Sequence, residues 1–292
     1  MATPKLLLAI HGGGRALLWR LGRKLYCWAR GDLANNPEQN GEYWLLNEVA
    51  KVLPSQALLL DVGANKGEWS LRALSLAERA GKQVAIVAFE PCAATRSLLA
   101  DRLSGFSNVE VFALALSSID GEAEFFSSGA GAGTNSLYAV SGSTSERVQL
   151  ITLDSFVDRL GIDRICMLKI DAEGHDLDVL KGAEQMLTQG RIDLVQFEYN
   201  WRWIISHAAL RDVFEYIKDK PYRLGKLVRN GIDVFDEWHF EMDRYFENNY
   251  VLIRDDSNLL NISNLVHFDK SNCARRFGIP SGCQETHTIS PA

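Results

Sequence analysis

Two acids stand at the ends of two apolar runs, and their surroundings suit a ribose-bearing cation. The run Ala57 to Leu60 ends at Asp61, and Gly63-Ala64-Asn65-Lys66-Gly67 follows. Consecutive apolar residues suit a strand covered on both faces, and glycines four positions apart let the backbone turn tightly beside a ligand before a helix begins. The central glycine of the dinucleotide fingerprint is missing, which disfavours NAD. An acid at the strand tip repels a pyrophosphate but suits a ligand carrying an ammonium and a sulfonium, the charge pattern of S-adenosylmethionine. The second acid, Glu90, closes the run Val84 to Phe89, 23 residues after Gly67, and Pro91 ends the strand there. In a doubly wound sheet, an acid at roughly 20 residues past the glycine turn accepts hydrogen bonds from ribose hydroxyls. Taken singly, these are a capped turn and a solvated carboxylate; separated by one helix length, Glu68 to Ala80, they favour a shared nucleoside site.

A second concentration of ionisable groups lies further on. Lys169, Asp171, Glu173 and His175 fall within seven residues beside the apolar run Ile165 to Leu168, and alternation points Lys169 and Asp171 to one side. Another run, Ile192 to Phe197, ends in Glu198-Tyr199-Asn200-Trp201-Arg202-Trp203. Both belong at the carboxyl edge of a parallel sheet, where ligands collect. Methyl transfer to an alcohol is an in-line displacement that needs alignment, exclusion of water and a destination for the hydroxyl proton. His175, Asp171 and Glu198 are the candidate proton acceptors, with Lys169 as an ion-pair partner and Glu173 as a cap for the following helix. Tyr199, Asn200 and Trp201 are expected to line the acceptor pocket, their flat faces and polar edges matching a sugar ring or a macrocycle. Asp171, Glu198 and Asn200 also offer three hard oxygens to magnesium. Strand-end carboxylates and amides more often serve hydrogen-bond networks, so a divalent metal is the less favoured alternative.

The segments Leu60-Asp61-Val62-Gly63-Ala64-Asn65-Lys66-Gly67, Ala88-Phe89-Glu90-Pro91, Ile151-Thr152-Leu153-Asp154-Ser155-Phe156 and Leu168-Lys169-Ile170-Asp171-Ala172-Glu173-Gly174-His175, with Leu180-Lys181-Gly182-Ala183 after them, resemble the FkbM-type methyltransferases. The resemblance covers about residues 42 to 195. It implies a class I S-adenosylmethionine-dependent enzyme, an O-methyltransferase acting on a hydroxyl of a glycosyl or natural-product acceptor. It places Asp61, Gly63, Asn65, Gly67 and Glu90 at the cofactor, Ser117 near the adenine, and Ser136, within Gly133 to Tyr138, near the adenosine. Two rivals are an NAD-linked oxidoreductase and a non-catalytic binding protein on the same scaffold.

The scaffold these residues need is α/β: a doubly wound, mostly parallel, seven-stranded, Rossmann-like sheet of the class I methyltransferase kind. Strands are expected near 57–62, 84–89, 108–115, 165–170, 192–198 and 249–253, and helices near 41–52, 67–80, 92–104, 154–160, 176–188 and 207–219. A β excursion follows the third strand, around the Gly/Ser-rich stretch Ser127 to Ser145. The division is an N-terminal helical extension over 1–40, a catalytic domain over 41–255 and a C-terminal tail over 256–292. At 292 residues and 47% hydrophobic content, one large core is affordable. Cys27, Cys92, Cys166, Cys273 and Cys283 are odd in number and lie in no close pair, so neither a disulfide framework nor a Cys-x-x-Cys metal site is indicated.

Charge is uneven. Residues 1 to 31 hold six Lys or Arg and no acid, leaving 25 basic against 37 acidic residues, a net of −12, for the remainder. An acidic catalytic domain argues against a nucleic-acid acceptor and for a small-molecule or glycosyl one. On a helical wheel Leu17, Leu18, Leu21, Leu25 and Trp28 share one arc, and Arg15, Arg20, Arg23, Lys24 and Arg30 fill the other half. The plain expectation is that this stripe packs on its own domain and roofs the active site. The sharper one is peripheral contact of residues 15–30 with an anionic membrane. No apolar run reaches membrane-spanning length, so a cytoplasmic protein is expected, membrane-associated in the sharper reading. Oligomeric state is left open.

Overall fold

A computed structural model describes residues 12–32, 35–139 and 141–278. Helix α1 (Gly12–Arg30) and helix α2 (Glu42–Val52) precede the alternation β1 (Gln56–Val62), α3 (Glu68–Arg79), β2 (Gln83–Phe89), α4 (Ala93–Leu103) and β3 (Val109–Phe112). An excursion of β4 (Leu114–Leu116), β5 (Gly121–Ser127) and β6 (Thr144–Ile151) leads to α5 (Leu153–Leu160), β7 (Met167–Ile170), α6 (Asp176–Lys181), α7 (Glu184–Thr188) and β8 (Leu194–Tyr199). The chain continues through α8 (Leu210–Ile217), β9 (Tyr222–Val228), β10 (Gly231–Phe235), β11 (Asn248–Arg254), β12 (Ser263–Phe268) and β13 (Ala274–Gly278).

The main sheet is mixed and has ten strands rather than seven, in the order β13-β12-β10-β9-β11-β8-β7-β1-β2-β3. β3, β2, β1, β7 and β8 run parallel, and β11 lies antiparallel between β8 and β9. Six of those seven strands fall where strands were expected; β9 does not, and the expected seven-stranded, mostly parallel sheet is corrected to a ten-stranded mixed one. The extension comes from β10, which folds back on β9, and from β12 and β13, which belong to the stretch read as a tail. With β9, these strands escaped sequence reading because none shows an alternating pattern: β9 and β10 are buried almost throughout, and the edge strand β13 is exposed at every residue.

Two other expectations change. The stretch 108–115 divides between sheets, with β3 in the main sheet and β4 pairing with β6 and β5 in a second one. The helix expected over 176–188 breaks into α6 and α7 at Gly182, where an added Cβ would sit 1.9 Å from the Ser117 carbonyl oxygen.

Strand alternation sorts the core onto two faces. Leu60, Val62, Phe89, Leu168, Ile170 and Phe197 pack on the side of α5 to α8. Leu59, Ile86, Met167 and Leu194 pack against α2 and α3 through Leu45, Val49, Trp69 and Ala73. Each such side chain contributes about 1.5–3 kcal/mol on burial, which makes this sheet a rigid platform.

Helix α1 does not roof the active site. Tyr26 Oη donates to Glu241 at 2.6 Å, Arg30 pairs with Asp32 and Glu241 at 2.8 and 3.1 Å, and the guanidinium groups of Arg23 and Arg30 lie over Phe246. Docking therefore uses polar and cationic side chains, while Leu17, Leu18, Leu21, Leu25 and Trp28 are exposed. Cys27, Cys92, Cys166 and Cys273 are free thiols, and Cys283 lies outside the described residues.

Candidate active site

Register brings the chemistry to one edge. Val62, Phe89, Ile170 and Phe197 are linked in register across β2, β1, β7 and β8, so Gly63, Glu90 and Asp171 leave the sheet at one level, with Glu198, still paired to β11, beside them. The strand ends are tied together there: Gly63 N and Ala64 N donate to Phe89 O at 3.0 Å each, and Asp171 N to Val62 O at 3.0 Å. Beyond this edge a cavity opens toward the second sheet. Gly63, Asn65, Glu90 and Thr95 line it with polar groups, Leu114, Leu116, Phe125 and Leu137 with apolar ones, and Asp171, Glu173 and His175 with ionisable ones.

Glu90 is 5% exposed and accepts from Asn65 N through Oε2 and from Cys92 N through Oε1, both at 3.0 Å. Burial lifts its carboxyl to about 7, against the pull of those two bonds and of Arg96. Each oxygen keeps a free lone pair, enough for two hydroxyl donors. Gly63 has φ 71°, and a Cβ there would lie 2.0 Å from the Asp171 carbonyl oxygen, so only glycine lets the β1 and β7 ends close. Asn65 adopts the left-handed conformation at φ 49°, and its buried Oδ1 has no hydrogen-bond partner. An orphaned buried acceptor costs about 1–3 kcal/mol, which a donor on a bound ligand removes. These residues fit a ligand that carries vicinal hydroxyls, a flat apolar ring and a further donor.

Asp61 departs from its expected position. It is fully buried, accepts from Ser70 Oγ at 2.6 Å, pairs with Lys169 at 3.4 Å and does not line the cavity. Strand parity explains this: Val62 turns toward α5 to α8, so Asp61 turns toward α2 and α3. Gly67, also outside the cavity lining, opens α3 at φ 76°, where a Cβ would meet Leu99 Cδ1 at 2.7 Å; its need for glycine comes from packing.

At the β7–β8 end, three carboxylates crowd together. Oxygens of Asp171, Glu173 and Glu198 lie within 4.8 Å of one another. Glu173 is raised to about 8 by burial and then by Asp171, against Arg202, whose Nε lies 2.9 Å from its Oε2. Glu198, 9% exposed, is raised well above the carboxylate range by burial, Asp171, Glu173 and Glu247. Lys169 bridges Asp171 at 3.2 Å and Asp61; burial lowers its pKa, but Asp171, Asp61 and Glu42 together outweigh that and keep it charged. Carboxylates this close share protons rather than ionise independently. The same three oxygens are the set that could hold a divalent ion. Asn200 is not in that set: its Nδ2 donates to Glu198 at 2.8 Å and its Oδ1 accepts from Arg202 N at 2.8 Å. Lys169 and Arg202 already set two cations against the three acids.

His175 lines the cavity with both ring nitrogens engaged: Nε2 lies 3.0 Å from Ser117 Oγ, and Nδ1 lies 3.2 Å from Tyr138 Oη and 3.4 Å from Asp178. Burial lowers its pKa, against Asp178, so the ring is neutral near pH 7. Ser117 is thus turned to the histidine and away from the cavity. Ser136 is likewise internal, donating to Glu173 O at 3.0 Å and accepting from Tyr138 N at 3.2 Å. Its neighbours Asn135 and Leu137 line the cavity instead. The glycine-rich loop is tied down by Thr95, whose Oγ1 accepts from Gly131 N at 2.9 Å.

The expected acceptor residues are elsewhere. Tyr199 is buried among Trp203, Tyr245 and Tyr250 and donates to Asp243 at 2.9 Å, because it follows Glu198 and so points to the opposite face. Trp201 is 53% exposed with Arg202 over its ring, and Asn200 caps the short turn Trp201–Ile204. None of the three lines the cavity. Glu173 does not cap the following helix: the N-cap position is His175, with no side-chain cap bond, and Asp176, the first helical residue, instead ties down the preceding turn by accepting from Gly174 N at 3.1 Å and Ala172 N at 3.4 Å. Sequence reading missed Glu173 and Arg202 as site residues although both lie in the polar clusters, and Thr95 carried no signal at all.

The family model of the FkbM methyltransferase domain matches residues 61–224. A stretch covering 46% of this chain is 33% identical to part of the AMB antimetabolite synthetase AmbE of Pseudomonas aeruginosa, and the chain spans only 8% of that protein's length. Among solved structures, the FkbM methyltransferase of Methylobacillus flagellatus KT is similar with a TM-score of 0.47 at 15% identity, over 81% of this chain and 60% of that one. The SAM-dependent methyltransferase of Agrobacterium tumefaciens is similar with a TM-score of 0.42 at 9% identity, over 76% and 63%.

Proposed function

This chain belongs to the FkbM methyltransferase family, and on that premise we propose that it binds S-adenosylmethionine at the carboxyl edge of β1, β2 and β7 and methylates a hydroxyl of a glycosyl or natural-product acceptor. The observation that carries the reading is the pairing, in one cavity, of Glu90 and Asn65, which have unused hydrogen-bond acceptors, with Asp171 and Glu173 at the other end, where the buried Glu198 stands behind them and does not line the cavity. Glu90 would hold the ribose hydroxyls, Leu116, Phe125 and Leu137 the purine, and Gly63 and Asn65 the amino-acid end. When bound, the cofactor supplies a methyl group on a sulfonium.

The chain's own part is positioning and proton handling. Asp171, ion-paired to Lys169, is the cavity-lining carboxylate that receives the acceptor hydroxyl's proton. Glu173 and Glu198 beside it adjust the charge of the cluster, and Arg202 fixes Glu173. His175, its ring nitrogens held by Ser117 and Tyr138, gives the cavity a fixed flat wall. The loop tied to Thr95 excludes water. Two cations already matched to the three acids support a metal-free reaction. The oxidoreductase rival has no support in the family match, and the retained acid cluster argues against a non-catalytic scaffold. The relative's role as an antimetabolite synthetase is in keeping with a natural-product acceptor.

Calorimetry with S-adenosylmethionine and S-adenosylhomocysteine tests the first half, and mass spectrometry of candidate glycosides for the gain of one CH2 tests the second. Saturable binding of both nucleosides is expected. Folded protein that binds neither would overturn the reading.

A further inference from the structure

Helix α1 presents its apolar side away from the domain it is attached to. At about 100° per residue, Tyr26, Arg30, Arg23 and Cys27 share one arc, and Leu17, Trp28, Leu21, Leu25 and Leu18 share the arc centred roughly opposite. The first arc does the docking, through Glu241, Asp32 and Phe246. The second is exposed from 46% at Leu18 to 79% at Trp28. Arg15, Arg20 and Lys24 make no ion pair among the described residues, and the helix contains no acid to offset them. Trp19 lies on the docking arc, with the Arg23 guanidinium over its ring. An apolar stripe that includes the exposed Trp28 and is bordered by free cations complements a surface that is negative outside and apolar just beneath. A second α1 laid on the first would bring only like charge. No helix among the described residues is long and apolar enough to cross a membrane, so the helix would lie in the surface plane.

We propose that α1 seats this enzyme on an anionic lipid bilayer, with Leu17, Leu21, Leu25 and Trp28 inserted below the headgroups and Arg15, Arg20 and Lys24 against lipid phosphates. The test is co-sedimentation of the full chain with phosphatidylcholine vesicles, with and without about 30 mol% phosphatidylserine, at low and high salt. Binding is expected only to the anionic vesicles and is expected to be lost in high salt. Each cation near the surface contributes about five-fold, so Arg20→Glu with Lys24→Glu should weaken binding at least about 25-fold. Leu21→Asp with Leu25→Asp should abolish it. Circular dichroism and S-adenosylmethionine affinity, unchanged in both variants, would show that the fold is intact. Equal binding to neutral vesicles, or no binding to either kind, overturns the proposal. So does light scattering that finds a dimer which the Leu21→Asp, Leu25→Asp variant dissociates, since the stripe would then cover a second copy.

Discussion

The two ends of the cavity solve opposite problems with the same residue type. At the β1–β2 edge, the buried Glu90 is held by two backbone N–H groups and has bonding capacity to spare. At the β7–β8 edge, Asp171, Glu173 and Glu198 stand within 4.8 Å of one another and are matched by Lys169 and Arg202. A carboxylate set in a rigid backbone frame is suited to recognising hydroxyl donors. Carboxylates set against each other and against cations are suited to taking up and releasing a proton. Burial raises acids at both ends; a neighbouring acid, Asp61, is the smallest of the causes acting on Glu90, whereas Asp171 stands second only to burial for Glu173 and Glu198.

Substitutions that separate binding from turnover can break this comparison. The largest effect is expected for Asp171→Asn, with turnover falling about 10²–10⁴-fold while calorimetry finds cofactor affinity within roughly threefold of the parent. Equal turnover would remove the proton-handling role from the β7–β8 edge. Glu90→Ala should show the reverse, weakening S-adenosylmethionine by about 10–100-fold, the value of one or two hydrogen bonds to a charged group. Turnover at saturating cofactor should be preserved.

Acidity sharpens the contrast. Glu90 has its carboxyl raised to about 7, and ribose hydroxyls bond best to the ionised form, so cofactor affinity should rise with pH until about 7 and fall by up to about tenfold per unit below it. Glu173 is raised to about 8, so turnover should climb with pH through about 8, a step later than binding. Coincident midpoints in calorimetry and initial rates would contradict two independent acid sites.

Stability gives the smallest effect. Glu198 is raised above its unfolded value, so the folded state favours the protonated form, and its contribution is lost as pH rises from the ordinary carboxylate range toward that raised value. Glu198→Gln removes the loss, and thermal unfolding at pH 8 should show a gain of about 1 kcal/mol, with reduced turnover. A destabilised variant would mean that the carboxylate's bond with Asn200 outweighs the repulsion from its neighbours.

Several features were legible before the fold. The glycine turn after β1, Glu90 at the end of β2 and the polar cluster after β7 follow from apolar runs stopping at particular residue types, and register confirms that Gly63, Glu90 and Asp171 share a level. Asp61 and Tyr199 were expected in the crevice and lie on other faces. A period of two says that neighbours alternate, but it does not say which parity meets the ligand until β7 and β8 are paired and helices cover both sides. Glu173 looked like a cap because it precedes a helix, but its carboxylate is taken by Arg202, and Asp176 holds the turn before the helix through Ala172 N and Gly174 N. Strands β9, β10, β12 and β13 stayed hidden because their stability comes from neighbours in the sheet rather than from their own pattern.

The amino-acid sequence by itself determined the family, the parallel strand–helix alternation, the carboxyl edge as the place of chemistry and the amphipathic character of α1, because each is written in local periodicity and residue type. Only tertiary structure decided which side chains share a cavity. It set Asp61 against Lys169 rather than a ligand, gathered Asp171, Glu173 and Glu198 across two strands, and docked α1 by its cationic side, leaving the leucine stripe outward. The physical reason is that facing and neighbourhood depend on hydrogen-bond register and on which competing surface wins burial, and both involve partners far away along the chain.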